Sequence, residues 1–284
     1  MRFRFSLVAP LAVLVAGAIA VAGWSGGNAA PHSGTMLADK RPDAMQVDTE
    51  LVLAVDVSYS MDPEEQQLQR EGYIAALTSR EFMDALKGGI NGKVAVTYFE
   101  WAGPFDHRII VPWRLIDGPA AADRVVNEIA RASYRRASRT SISSALQFAK
   151  PLFDASGYNG IHRVIDVSGD GANNSGPFIT EVRDDVVNAG ITINGLPIMV
   201  KRPNVFTLDI ENLDIYYEDC VIGGPGAFII PIQNRDQFKE AIRTKLVLEI
   251  AGLAPERRVV PAQAAKPRIS CTVGEQMWRE RWGN

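Results

Sequence analysis

Leu51-Val52-Leu53-Ala54-Val55-Asp56-Val57-Ser58-Tyr59-Ser60 decides the fold. Five apolar residues run without interruption and then give way to an acid and two hydroxyls. An unbroken apolar run of this length suits a strand buried on both faces, as in a parallel sheet, rather than an alternating half-exposed strand. Asp56, Ser58 and Ser60 follow at alternate positions where the strand ends. Once the chain leaves the extended form, these three side chains can converge on one point.

Two other pieces carry matching chemistry. One is Thr140 in Ser138-Arg139-Thr140-Ser141. The other is Asp170-Gly171, which follows the Arg163–Val167 segment after Ser168-Gly169. Together the three pieces offer two carboxylates and three hydroxyls, all hard oxygen donors. Such a set suits Mg²⁺, and Mn²⁺ or Ca²⁺ accept the same donors. The competing use of these residue types is as helix caps and turn formers without a metal.

Outward from Asp56, helix-like and strand-like segments alternate through residues 50–250. Asp62 before Pro63 is a helix start, and Leu68, Tyr73, Ile74, Leu77, Phe82 and Leu86 carry helical spacing as far as Lys87. Val94–Trp101 reads as a second strand. Arg108–Leu115 reads as a third, placed at an edge by Pro112. Helices are expected at Ala120–Ala132, Ile142–Lys150, Phe178–Asn188 and Arg235–Ile250. Further strands are expected at Arg163–Val167, Ile191–Ile198 and Ala227–Ile232. This alternation predicts an α/β three-layer sandwich, a mostly parallel sheet with helices on both faces in a Rossmann-type arrangement. Ligands in such folds bind at the carboxyl ends of the strands, and all three oxygen-rich pieces map to that edge. Asp166, inside a central strand, calls for a buried partner such as His162 or an arginine.

The flanks read differently. Residues 1–30 open with Arg2 and Arg4, continue through an uncharged apolar stretch from Ser6 to Ala22, and close on small residues up to Ala30. That is the layout of a secretory signal peptide, with an uncleaved membrane anchor as the alternative. Residues 31–48 read as a linker, 49–252 as the domain with an insertion at about 201–226, and 253–284 as a C-terminal tail. Removing residues 1–30 takes away two arginines and no acid, leaving 28 basic against 33 acidic side chains. A mildly acidic protein without a basic cluster is a poor nucleic-acid binder. Cys220 and Cys271 are the only two cysteines. In an oxidising compartment they read as one disulfide, and otherwise as two buried thiols.

The oxygen-bearing pieces resemble the von Willebrand factor A-type domain and its metal-ion-dependent adhesion site. That pattern is Asp-x-Ser-x-Ser after the first strand, a threonine in a later loop, and Asp-Gly after a central strand. Here it falls on Asp56, Ser58, Ser60, Thr140, Asp170 and Gly171, within a resemblance covering about residues 48–250. The whole chain is similar to exported bacterial A-domain-like proteins of unassigned function, which implies a periplasmic or secreted location. The resemblance implies that Ser58, Ser60 and Thr140 contact the metal, with Asp56 and Asp170 bound directly or through water. It also implies a protein partner that supplies a carboxylate to the open metal position. Two departures stand beside the ligands. Ser138-Arg139 occupy positions where the family often has glycine, and Gly169 stands where it often has threonine.

Catalytic readings lack their residues. Phosphatases of the haloacid dehalogenase type carry Asp-x-Asp at the strand end. Ser58 holds the second place here, so the acid/base group is missing. No Gly-x-Ser-x-Gly elbow and no Gly-x-x-x-x-Gly-Lys-Ser/Thr loop occur, which removes the usual serine-hydrolase and nucleotide signatures. His32, His107 and His162 are too scattered for a zinc site. The expectation is therefore a non-enzymatic binding domain, with a metal-free scaffolding domain of the envelope as the alternative. Tyr216 and Tyr217, beside Gly223-Gly224-Pro225-Gly226, read either as a recognition loop or as a structural turn. Trp278 and Trp282, one helical turn apart, read as docking on the protein's own surface, or else on a membrane.

Overall fold

A computed structural model describes residues 43–200, 209–253 and 268–283. The proposed signal peptide and most of the proposed linker lie outside the described residues. The centre of the fold is β1 (Met45–Asp56), flanked by β2 (Val94–Trp101) and β4 (Tyr158–Gly169) in a sheet of order β3-β2-β1-β4-β5. The strands β1, β2, β4 and β5 (Thr192–Pro197) run parallel, and β3 (His107–Ile116) is the antiparallel edge. β3 carries Pro112 at that edge, where a missing N–H is tolerated.

The apolar run of β1 divides its side chains between the two faces. Leu51, Leu53 and Val55 enter one core with Tyr73, Val96, Tyr98, Val125, Phe238 and Leu246. Val52 and Ala54 enter the other with Phe99, Trp101, Leu146, Ile165 and Val186. Successive strand residues point to opposite faces, so a strand covered on both sides must be apolar at every position. The first face is covered by α1 (Pro63–Leu77), α2 (Arg80–Gly88), α3 (Pro119–Arg131) and α7 (Phe238–Ile250). The second is covered by α4 (Ile142–Asp154) and α5 (Ile179–Asn188). This is the expected three-layer α/β sandwich.

Several boundaries differ from the sequence expectation. β1 begins at Met45, so the last residues of the expected linker belong to the sheet. The single helix expected from Pro63 to Lys87 is two helices. Ser79 breaks it, because its hydroxyl accepts from the Phe82 N–H and caps α2. Pro151 lies inside α4 rather than beyond it. The strand expected at Ala227–Ile232 is reduced to isolated bridges, Gly195 with Ile229 and Ile198 with Ile232. Pro231 interrupts that segment and cannot donate to a ladder. Within the expected insertion, α6 (Leu213–Tyr216) leads into a π-helical turn at Tyr217–Val221. The expected tail contains α8 (Val273–Trp282).

Asp166 has a different partner from those expected. Lys245 of α7 reaches it, with Nζ 2.8 Å from Oδ1, and both side chains are fully buried. The same ammonium contacts Glu249, whose Oε1 also accepts from Asn194 Nδ2 at 3.0 Å. Burial raises both acids above their ordinary range, Glu249 to about 7, against the opposing pull of Lys245.

Candidate functional site

Asp56 closes β1 and Asp170 follows β4, the adjacent parallel strand, so both carboxylates reach the same sheet edge. The chain turns immediately after Asp56, whose Oδ1 accepts from the Ser58 backbone N–H at 2.7 Å. An aspartate bonding two residues ahead is a turn former, and here it aims both serines inward. Ser58 Oγ lies 2.7 Å from Ser60 Oγ. Ser60 Oγ donates to Asp170 Oδ1 at 2.6 Å, and Thr140 Oγ1 lies 3.4 Å from Ser58 Oγ. The three distant pieces of sequence thus form one oxygen cluster. Asp56, Ser58, Thr140 and Asp170 are buried, and Ser60 is half-buried.

The Thr140 loop is fixed by backbone bonds. Tyr59 N–H donates to Ala137 O, Ala137 N–H to Val57 O, and Ser141 N–H to Ala102 O. Asn174 completes the clamp. Its Oδ1 accepts from the Thr140 N–H at 3.0 Å, while its own N–H donates to Thr140 O at 2.9 Å. Sequence reading missed Asn174, although its place four residues after Asp170 was a usable signal. Arg139, beside Thr140, adopts φ of 76°. A non-glycine residue in this left-handed region costs on the order of 1 kcal/mol and marks a position that the surroundings over-determine. The departure from glycine is therefore absorbed by an arginine that takes the conformation glycine would adopt.

The second departure has a steric reason. A Cβ on Gly169 would come within 2.8 Å of Asp56 Oδ2 and 3.0 Å of Tyr217 Oη. The space that a threonine would need is filled by the Asp56 carboxylate and the Tyr217 hydroxyl. Tyr216 and Tyr217 do not form a recognition loop: both are fully buried. The helical turns at Leu213–Val221 carry them into the core, and Tyr216 Oη accepts from the Asn173 N–H at 3.2 Å. Tyr217 Oη has no hydrogen-bond partner among the described residues. Burial, reinforced by the charges of Asp56 and Asp170, pushes its phenol well above the ordinary range and keeps it a neutral donor.

The cluster opens into a cavity of about 270 Å³. Its further lining includes Tyr59, Arg139, Asp209, Trp278 and Trp282. The last two belong to α8, which therefore forms one wall of the site. Three contacts hold that helix there. Cys220 and Cys271 form a disulfide, Asn173 Nδ2 donates to Glu275 Oε1 at 2.7 Å, and Gly274 lies so close that a Cβ would fall 2.1 Å from Asn173 O. Trp278 docks on the protein's own surface beneath Arg139, whose guanidinium carbon is 3.6 Å from the ring centre. Trp282 stacks on Trp278 at 4.1 Å and is 53% exposed.

A family model described as "Protein of unknown function (DUF1194)" matches residues 46–254. No curated protein matches the sequence. Among solved structures, the chain is similar to proximal thread matrix protein 1 from the mussel byssus, in a form with a zinc-occupied MIDAS motif. The identity is 15% and the TM-score 0.51, over 73% of this chain and 49% of that one. It is also similar to the pilus adhesin SpaC from Lactobacillus rhamnosus GG, at 12% identity and TM-score 0.56, over 74% of this chain and 32% of the adhesin. A von Willebrand factor type A protein from Catenulispora acidiphila follows at 14% and 0.50, over 72% and 43%. The chain thus spans about half or less of the length of each. At these identities the likeness is one of fold, and the fold is that of the von Willebrand factor A domain.

Proposed function

The chain belongs to the family described as "Protein of unknown function (DUF1194)", and we propose that it is an exported binding domain that docks a protein partner through a divalent cation. The observation that carries this reading is the convergence of Asp56, Ser58, Ser60, Thr140 and Asp170 from three separate segments onto one buried edge that opens to a cavity.

The oxygens fit a cation. Neighbouring ligands on an octahedral Mg²⁺, with bonds of about 2.0–2.1 Å, lie about 2.9 Å apart, and Ca²⁺ needs wider spacing. The cluster's separations of 2.7, 2.6 and 3.4 Å bracket the Mg²⁺ spacing. The buried Tyr217 hydroxyl, with no partner among the described residues, lies close enough to Asp56 and Asp170 for both charges to raise its pKa. It suits a donor to a carboxylate or to an ordered water of the metal. Ser58, Ser60 and Thr140 would hold the ion as neutral oxygens, with Asp56 and Asp170 balancing its charge. With only two acids beside it, a cation held there would stay electrophilic and could accept a partner's carboxylate. No reaction is proposed, since the cluster has a hydroxyl at Ser58 where an acid/base group would be required.

Export is part of the same reading. The N-terminal pattern of residues 1–30 and the Cys220–Cys271 bridge both suit an oxidising compartment outside the cytoplasm. The competing reading is a metal-free scaffold in which the hydroxyls satisfy one another, as Ser58, Ser60 and Asp170 do by hydrogen bonding. Calorimetric titration of residues 31–284 with Mg²⁺ and Mn²⁺ separates the two. Saturable binding that Ser58→Ala weakens at least tenfold supports the metal site. No binding of either ion overturns it in favour of the scaffold.

A further inference from the structure

The rim of the oxygen cluster is basic and aromatic. Arg139 lies on Trp278, and Arg136 lies 5.4 Å from the ring centre of Tyr59 while donating to Tyr59 O at 2.6 Å. Among the described residues, neither Arg136 nor Arg139 has a carboxylate within ion-pair distance. The neighbouring Arg135, by contrast, is tied to Glu100 and Asp106. Tyr59 and Trp282 are more than half exposed. A second cavity, of about 580 Å³, opens on the far side of Tyr59, between it and Tyr134. Tyrosine, tryptophan and arginine are the residues that dominate binding energy at protein interfaces, especially around a desolvated centre.

Arg139 is the informative member. Its backbone is held in the left-handed region, and its guanidinium carbon lies 3.6 Å from the Trp278 ring centre in the cavity beside the oxygen cluster. Glycine would serve the backbone better, so the guanidinium itself is what the strained position supplies. A guanidinium on an aromatic ring, with no described carboxylate within ion-pair distance, is preorganised for one, and Asp209 is the acid in the same cavity lining that an incoming carboxylate must avoid.

We infer that the cleft selects a doubly acidic peptide segment of a protein partner: one carboxylate goes to the cation and a second, two residues away, to Arg139. The inference rests on the metal reading. In an extended segment alternate side chains share one side, roughly 6.6 Å apart. The hydroxyls of the oxygen cluster and the Arg139–Trp278 stack line one cavity, so a single peptide segment entering it meets both. Arg136 and the exposed Tyr59 ring extend the same basic, aromatic surface beyond the cleft.

The test uses residues 31–284 with saturating Mg²⁺ and two fluorescein-labelled pentapeptides, Gly-Asp-Gly-Asp-Gly and Gly-Asp-Gly-Asn-Gly. Anisotropy titration is expected to show the first binding about tenfold more tightly, the increment of one charge-assisted hydrogen-bonded pair. Arg139→Gly relieves the backbone and removes the guanidinium. Arg139→Asn also tolerates the left-handed backbone and serves as a second variant. Both are expected to keep the Mg²⁺ isotherm and lose the preference between peptides. A normal Mg²⁺ isotherm with no peptide binding overturns the inference alone, as does a preference that survives both variants. So does Arg139-dependent binding to phosphatidylglycerol vesicles without binding to the peptides. Failure of the Mg²⁺ isotherm itself instead overturns the metal reading beneath it.

Discussion

Replacing Lys245 with methionine should be among the most destabilising single changes available to this fold. Lys245, Asp166 and Glu249 are all fully buried, and among the described residues the lysine is the one cation in ion-pair contact with both acids. Methionine fills a similar volume, so the packing loss is small and the effect is electrostatic. Removing one partner of a buried ion pair leaves an uncompensated charge and costs about 3–5 kcal/mol. A fold of this size has only about 5–15 kcal/mol in hand. The sign of the pH dependence follows from the acids. Without the lysine, Asp166 and Glu249 hold protons more tightly in the folded than in the unfolded chain. Folding then takes up protons, and the deficit shrinks as pH falls, by up to about 1.4 kcal/mol per pH unit for each acid. Urea denaturation followed by circular dichroism, at neutral pH and at about pH 5, measures both quantities. A deficit below about 1 kcal/mol at neutral pH, or one that does not shrink at the lower pH, would refute the assignment of Lys245 as the counter-charge of this core.

In the unaltered protein, Glu249 is lifted by burial from its ordinary 4.5 to about 7. Its contribution to stability is therefore fully present below the unfolded value and is lost as pH rises between 4.5 and about 7. A urea midpoint that rises across this window would contradict the shift. Gly169→Ala places a methyl group 2.8 Å from Asp56 Oδ2 and should weaken Mg²⁺ binding more than it lowers stability. Calorimetry and thermal melting of the same sample compare the two losses. The double change Cys220→Ser with Cys271→Ser opens a bridge between residues 51 apart in sequence. It should cost roughly 4 kcal/mol on the chain-entropy scale, read as a lower urea midpoint, and a change under about 1 kcal/mol would show that the other contacts suffice to hold α8.

What was legible in the chain depended on how local the cause was. The five apolar residues before Asp56 announce a doubly covered strand because both core faces act on one short segment. Asp56, Ser58 and Ser60 were visible because a single turn gathers them. Lys245 was not visible. Within the helix it occupies a position open to any long polar residue, and only the sheet behind it, carrying Asp166, turns that position inward. Tyr216 and Tyr217 sit beside Asp214, Glu218 and Asp219, a polar context that suggests an exposed loop. The helical turns at Leu213–Val221 carry the two rings into the core instead. The wall formed by Trp278 and Trp282 depends on a tie more than fifty residues long in sequence, which no local pattern encodes. Arg139 was recognisable as a departure from glycine, but its contact with Trp278 spans a still longer stretch of sequence than the disulfide does.

The placement of α8 separates the cleft's construction along the sequence. Every side chain of the oxygen cluster falls between residues 56 and 170, whereas the wall beside it is drawn from residues 273–282. In chain order, every segment that supplies an oxygen to the cluster precedes the last helix. The wall is then fastened covalently by joining Cys271 to Cys220. If the cluster holds a cation and the cleft selects a partner as proposed, the two capacities draw on different parts of the chain, and the second would depend on the bridge as well.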